Sequence, residues 1–96
     1  MAEYRLTPAA EGDLEVIWTY TLQQWSAEQA DRYIDTLTAA FAELAQSPKS
    51  APAFDQIRPG YRRRSIGRHM IYFRLTTYGI VVVRILHDRM VAPRHL

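Results

Sequence analysis

His69-Met-Ile-Tyr-Phe-Arg-Leu-Thr-Thr-Tyr-Gly-Ile-Val-Val-Val-Arg-Ile-Leu-His87 carries the architecture. Apolar residues recur at every second position on either side of Thr77-Tyr78-Gly79, the pattern of two strands joined by a tight turn. If that turn is a three-residue loop with Gly79 in the left-handed position, Ile71 faces Ile85, Phe73 faces Val83 and Leu75 faces Val81. These six apolar residues then share one face. The same register sets Tyr72 opposite Arg84, Arg74 opposite Val82 and His69 opposite His87. A slip of one residue would mix the apolar and charged sets, so pattern and register support each other.

Upstream, Gly67-Arg68 is a second turn signal, which makes Tyr61–Ile66 a third strand of an antiparallel meander. A two-residue loop there puts Arg64 opposite Ile71 on the apolar face, as an edge strand or a bulge would allow. Earlier still the period changes to that of helices. Thr7-Pro8 pairs an N-cap with a first helical residue, and Leu14, Ile17, Trp18, Thr21, Leu22 and Trp25 follow at three- and four-residue spacing. Ser26 and Gln29 form a capping box for a second helix, whose apolar stripe is Ala30, Tyr33, Ile34, Leu37, Phe41 and Leu44. Ser47-Pro48 stops it, and Glu3–Leu6 ahead of both helices is a short strand. The expected fold is α+β: an N-terminal strand and a helical hairpin packed on an antiparallel three- to four-stranded sheet, a two-layer sandwich.

At 96 residues the chain is expected to form a single domain, 1–96, and 48% hydrophobic residues suffice for a core. No apolar run approaches the roughly 18 residues of a membrane span, and the N-terminus lacks a basic region followed by an apolar one, so a cytoplasmic protein without membrane contact is expected. The chain has no cysteine, which removes disulfides and thiolate chemistry. Charge is sharply divided. Residues 1–48 hold eight acids against Arg5 and Arg32, a net of −6; residues 49–96 hold Lys49 and nine arginines against Asp55 and Asp88, a net of +8. Arginine favours planar recognition of carboxylate or phosphate, so a polyanion or an acidic protein partner is implied.

The strand pattern assembles Arg63, Arg74 and Arg84 with Tyr61 and Tyr72 on the sheet face away from the helices, a basic and aromatic surface for a phosphate backbone or an acidic peptide. Solvation of a half-exposed sheet uses the same residues. Arg62-Arg63-Arg64 with Arg68 is the densest basic run and serves equally to contact a partner or to protect an edge strand. His87, beside Asp88 and Arg89, stands where a general acid for RNA cleavage would act near those arginines. His69 and His87 have no third ligand at a recognised spacing, so no metal and no cofactor is expected. Glycine-rich phosphate loops, the Gly-x-Ser-x-Gly elbow and His-Glu-x-x-His are absent.

Several strings, in this order and spacing, resemble the ParE branch of the RelE/ParE toxin superfamily across nearly the whole chain. They are Tyr4-Arg-Leu-Thr-Pro-Ala-Ala10, Asp13-Leu14, Ile17-Trp18, Ala30-Asp-Arg-Tyr-Ile34, Arg58-Pro-Gly-Tyr61, Gly67-Arg-His69, Val83-Arg-Ile-Leu-His-Asp-Arg-Met90 and Arg94-His-Leu96. The resemblance implies the toxin of a type II toxin–antitoxin pair, bound in a hetero-oligomer by a ParD-like antitoxin. It also implies DNA gyrase as target, a non-catalytic poisoning of that enzyme with blocked replication, and no sequence-specific DNA binding by the toxin alone. Antitoxin contact is then expected at Trp18, Leu22 and Tyr33 on the hairpin rim and at Arg63, Tyr72, Arg74 and Arg84 on the sheet. Target contact is expected from His87, Arg89, Arg94 and His95, in a C-terminal segment with nothing obvious to pack against. The alternative is a ribosome-dependent messenger RNA endoribonuclease similar to RelE, using Arg63, Arg74, Arg84 and His87. A third is a binding module without toxicity. The chain departs from the nuclease pattern: Lys49, its single lysine, lies outside the sheet, and His87 is followed by Asp-Arg-Met rather than a terminal tyrosine.

Overall fold

The computed structural model describes residues 2–90, 92–94 and 96. The chain runs β1 (Glu3–Leu6), α1 (Pro8–Gln24), α2 (Ala27–Gln46), a 3₁₀ turn (Pro48–Ser50), β2 (Tyr61–Ile66), β3 (His69–Leu75), β4 (Gly79–His87) and a second 3₁₀ turn (Ala92–Arg94). Both helices begin at the caps the sequence predicts. The Thr7 hydroxyl accepts the Ala10 N–H at 3.1 Å ahead of Pro8, and the Ser26 hydroxyl accepts the Gln29 N–H at 3.1 Å. The helices form a hairpin on one face of a four-stranded sheet ordered β1-β4-β3-β2. The expected α+β sandwich is present, with one addition: β1 lies parallel to β4, so the sheet is mixed. The connection from β1 to β4 is long enough for that parallel return, which a two-residue hairpin cannot make.

The β3–β4 register agrees with expectation from the open end to Tyr72 and departs beyond it. His69 faces His87, Ile71 faces Ile85 and Tyr72 faces Arg84, but Phe73 faces Val82, Arg74 faces Val81 and Leu75 faces Ile80. The turn is shorter than predicted, with the Thr76 N–H donating to the Gly79 carbonyl at 2.9 Å across Thr77-Tyr78. The residue saved in the loop reappears as a bulge at Val83, so Ile80 and Val82, rather than Val81 and Val83, enter the core beneath the helices. Leu75 is left partly exposed. Gly79 does not serve the turn alone. Its φ is +145°, and a Cβ there would collide with the Glu3 carbonyl oxygen, so glycine is what lets β1 lie against β4.

Beneath the hairpin the core comprises Ile17, Leu37, Ala40, Phe41 and Leu44 from the helices and Ile71, Phe73, Ile80, Val82 and Ile85 from the sheet. β2 is an edge strand in the register that puts Arg64 opposite Ile71. Arg64 there pairs at 2.9 Å with Glu43 of α2. On the other sheet face Tyr72, Leu86 and Ala92 make a smaller cluster with Phe54, Ile57, Met70 and Leu96. That face is therefore partly covered, by the 51–60 connection and by the C-terminal turn.

Candidate functional site

β1 pairs with β4 only from Gly79 to Val82, which leaves the rest of the β4 edge facing the start of α1. The N-cap and first turns of α1 complete that edge. The Thr7 N–H donates to the Val82 carbonyl at 3.1 Å and the Thr7 hydroxyl to the Val83 carbonyl at 2.8 Å. One turn and a half later the Asp13 carboxylate accepts the Ile85 N–H at 2.9 Å and takes the Arg84 guanidinium in a fork, 2.8 Å from Nε and 2.7 Å from Nη2. The Asp13 and Arg84 side chains are 13% and 23% exposed, so the pair works in a partly dry setting. The hydrogen bond to Asp13 raises the Arg84 pKa against the opposing effect of burial. Arg84 thus belongs to the joint between sheet and helix rather than to an open basic face.

The other members of that expected face are also redistributed. Tyr72 is 4% exposed and sits in the smaller core, its ring tilted against Phe54 at 5.9 Å. Arg63 stacks over Phe54, 3.8 Å from the ring centroid. Arg74 is exposed beside Tyr61, its cross-strand neighbour. Arg63, Arg74 and Tyr61 are what remains of the surface. The covering chain segment, 51–60, is irregular, and its irregularity hid it from a reading based on strand period.

The hairpin rim is different in detail as well. The Trp18 indole N–H donates to Asp31 at 2.9 Å, tying α1 to α2, and Leu22 is half-buried. Trp25, placed by its spacing on the apolar stripe, is 76% exposed, because α1 ends at Gln24 and Trp25 takes a non-helical conformation. Val16 and Tyr20, at 67% and 61% exposure, share the outward face of α1 and were not singled out by periodicity. The signal for them was that α1 carries apolar residues around its whole circumference.

Tyr33 turns inward to the end of the sheet. Its hydroxyl lies 2.6 Å from His69 Nδ1, 3.3 Å from the Ile66 carbonyl and 3.4 Å from the Arg68 N–H, which donates to it. Gly67, with φ +54°, gives that hydroxyl room: a Cβ would stand 2.8 Å away. The His69 ring meets the His87 ring edge to face at 5.5 Å, and His87 Nδ1 lies 3.0 Å from Asp88 and 3.1 Å from the Arg89 N–H. That nitrogen serves one of them at a time, accepting from the Arg89 N–H when it bears no hydrogen and donating to Asp88 when it bears one. Burial and then the neighbouring His87 push the His69 pKa down; burial pushes Tyr33 up, with Asp88 adding to it and the Arg68 N–H opposing. The pairing of the two histidines follows from register, whereas Tyr33, expected on the hairpin rim, gave no sign of its contact with His69 thirty-six residues on. Among the described residues no three metal-ligating side chains gather.

The C-terminal segment is not without packing partners. Ala92 is buried, Leu96 joins the smaller core, and the Leu96 carbonyl is 3.5 Å from an Arg58 Nη2 that donates to it. The expectation of a loose end overlooked Phe54 and Ile57, which lie on that face. Arg89 and Arg94 are exposed next to it. His95 lies outside the described residues.

A sequence profile described as the ParE toxin of the type II toxin-antitoxin system, parDE, matches residues 4–92. Toxin ParE1 of Mycobacterium tuberculosis is 43% identical over 96 residues, covering 99% of this chain and 98% of the relative. Toxin ParE1 of Caulobacter vibrioides is 38% identical over 96 residues, covering 100% and 99%. A chain of a solved structure described as a chromosomal ParDE TA system from P. aeruginosa superposes with a TM-score of 0.78 at 20% identity, covering 91% of this chain and 96% of that one. No helix is long and apolar enough to cross a membrane among the described residues.

Proposed function

Because this chain belongs to the ParE toxin family of type II toxin–antitoxin systems, we propose that it acts by binding DNA gyrase without chemistry of its own, and that a ParD-like antitoxin neutralises it. The observation carrying the non-catalytic reading is the Asp13–Arg84 fork. A nuclease of the alternative kind needs Arg84 to hold a scissile phosphate, and here its Nε and Nη2 are engaged by a carboxylate on another element. A phosphate arriving there would have to displace a charge-assisted, partly buried pair and leave Asp13 unmatched. Arg63 stacked on Phe54 is likewise a packed residue.

Contact with the antitoxin is assigned to the rim around Trp18 and Leu22, extended to the exposed Tyr20, and to Arg63 and Arg74 on the sheet. An acidic, partly disordered partner that folds on binding suits that combination. Contact with the target is assigned to Arg89, Arg94 and His87 at the far end of the sheet. Supercoiling of plasmid DNA by purified gyrase, with and without the protein, tests the reading beside a translation reaction assayed for message cleavage. Inhibited supercoiling with trapped cleaved DNA and intact message is the expected result; cut message with unaffected gyrase overturns it.

A further inference from the structure

β1 ends the sheet on the side away from β2, and its outer edge carries unpaired backbone. The Glu3 N–H donates to the Tyr78 carbonyl at 2.8 Å and the Thr7 N–H to the Val82 carbonyl at 3.1 Å, so in this parallel pairing Glu3, Arg5 and Thr7 turn their backbone groups toward β4. Tyr4 and Leu6 turn theirs outward. Among the described residues no partner meets the N–H or the carbonyl of either. Within β1 there is no proline, lysine or bulge of the kind that blunts an exposed edge.

Side chains divide by face as the backbone divides by edge. Ala2, Tyr4 and Leu6 lie on the helix side, packed against the core yet only half-buried, with the Tyr4 ring edge-on to Phe41 at 5.4 Å. Glu3 and Arg5 lie on the opposite face, paired with each other at 2.7 Å and well exposed, and Arg5 rests over the Tyr78 ring. We propose that β1 pairs antiparallel with β1 of a second copy of this chain, Tyr4 opposite Tyr4 and Glu3 opposite Arg5, joining two four-stranded sheets into one of eight strands.

The occupant follows from the self-match of the edge. The twofold axis of such a pair is perpendicular to the sheet, so both helical layers fall on one side and the half-buried apolar residues of the two copies form one row, Tyr4 against Tyr4 and Leu6 against Ala2. The outward groups of Tyr4 make a hydrogen-bonded pair, which leaves Glu3 and Arg5 as the closer, non-hydrogen-bonded pairs on the solvent face, opposite in sign on both sides of the axis. Sliding the strands by the two residues that alternation demands sets Arg5 against Arg5 or Glu3 against Glu3, so charge selects a single register. An edge with one charge of each sign gives a polyanion or polycation no advantage. The contact is short, well below the roughly 1,200 Å² of a permanent interface, so exchange between one copy and two is fast and governed by concentration. The inference is independent of the gyrase and antitoxin assignments, whose residues lie on other elements.

The test uses the whole chain, isotopically labelled, by sedimentation and NMR between about 10 μM and 1 mM. The average mass should rise from that of one chain toward that of two, with the Tyr4 and Leu6 amide signals moving along the same curve. Glu3→Arg and Arg5→Glu, both at exposed side chains, should each weaken self-association about tenfold or more and leave the remaining spectrum in place. Mixed together, these two variants should associate at least tenfold more tightly than either does with itself, and the double exchange within one chain should restore self-association. A single-chain mass throughout the range overturns the proposal, as do concentration-dependent signals confined to other elements. A mixture no tighter than its components overturns it too, because the opposition of Glu3 to Arg5 is then wrong.

Discussion

Replacing Asp13 by alanine removes three hydrogen bonds at once and leaves their donors behind. The Arg84 guanidinium loses both arms of its fork and the Ile85 N–H loses its acceptor, in a setting where the two side chains are 13% and 23% exposed. Breaking a fully buried pair costs about 3–5 kcal/mol, and a stranded buried N–H about 1–3 kcal/mol. Partial exposure lets water reach Arg84 and pulls the sum down, so the expected loss is about 3 kcal/mol. For a domain of this size that lowers Tm by roughly 12–24 °C. Asp13→Asn keeps an acceptor for Ile85 and should cost about half as much. Thermal and urea unfolding of Asp13→Ala, Arg84→Met and the double variant close a thermodynamic cycle, and a coupling energy above about 1 kcal/mol is expected. A coupling near zero, or an Asp13→Ala variant as stable as the parent, would refute the assignment of Arg84 to the joint and return it to the exposed surface.

The His69 imidazole is faced by Tyr33 from α2, by His87 and Asp88 at the end of β4, and by Asp13 from α1, with burial the largest influence on it. Its depressed pKa stabilises the fold above the unfolded value of about 6.5, and that contribution is lost as pH falls through the folded value; urea unfolding at pH 7.5 and pH 5 should show a smaller difference in His69→Asn than in the parent. Gly79→Ala should detach β1, because its Cβ meets the Glu3 carbonyl; a loss beyond about 2 kcal/mol and rapid amide exchange at residues 3–6 are the readouts. Arg89→Ala with Arg94→Ala should lower gyrase inhibition while leaving Tm within about 2 °C, since both side chains are exposed. Deleting the terminus instead would strip Leu96 from the smaller core and confuse the two effects.

What the sequence made legible was local. Thr7-Pro8 and Ser26-Ala-Glu-Gln29 state their caps within four residues, and the Ile71–Ile85 and His69–His87 pairings follow from alternation and one turn. What it hid was set by approach from a distance. The parallel seat of β1 on β4 is what asks for glycine at position 79, and that glycine, read as a turn residue, misplaced the loop by one position and every pair beyond Tyr72 with it. Arg84 shows the same limit. Its strand position was right, but the ladder ends before it, and the partner that completes the edge comes from a helix seventy-one residues earlier.

The charge division between the two halves of the chain has the same origin. A basic half and an acidic half suggested an outside partner of opposite sign, yet the fold lays one half on the other. Asp13 of α1 takes Arg84 of β4, and Glu43 of α2 takes Arg64 of β2, each across the boundary between helical layer and sheet. Glu3 with Arg5 and Glu28 with Arg32 are settled within the first half, and Glu11, Glu15, Asp31 and Asp35 form no ion pair with the second half among the described residues. The arginines in ion pairs hold the layers together and cannot also be counted toward a ligand. Those that remain exposed without an ion pair among the described residues divide between Arg74 on the sheet face, Arg58 on the connection that covers it, and Arg68, Arg89 and Arg94 beyond the strand ends. An acidic partner is thus met by separate small sites rather than one continuous face, which is the geometry an extended chain can follow and a globular surface cannot.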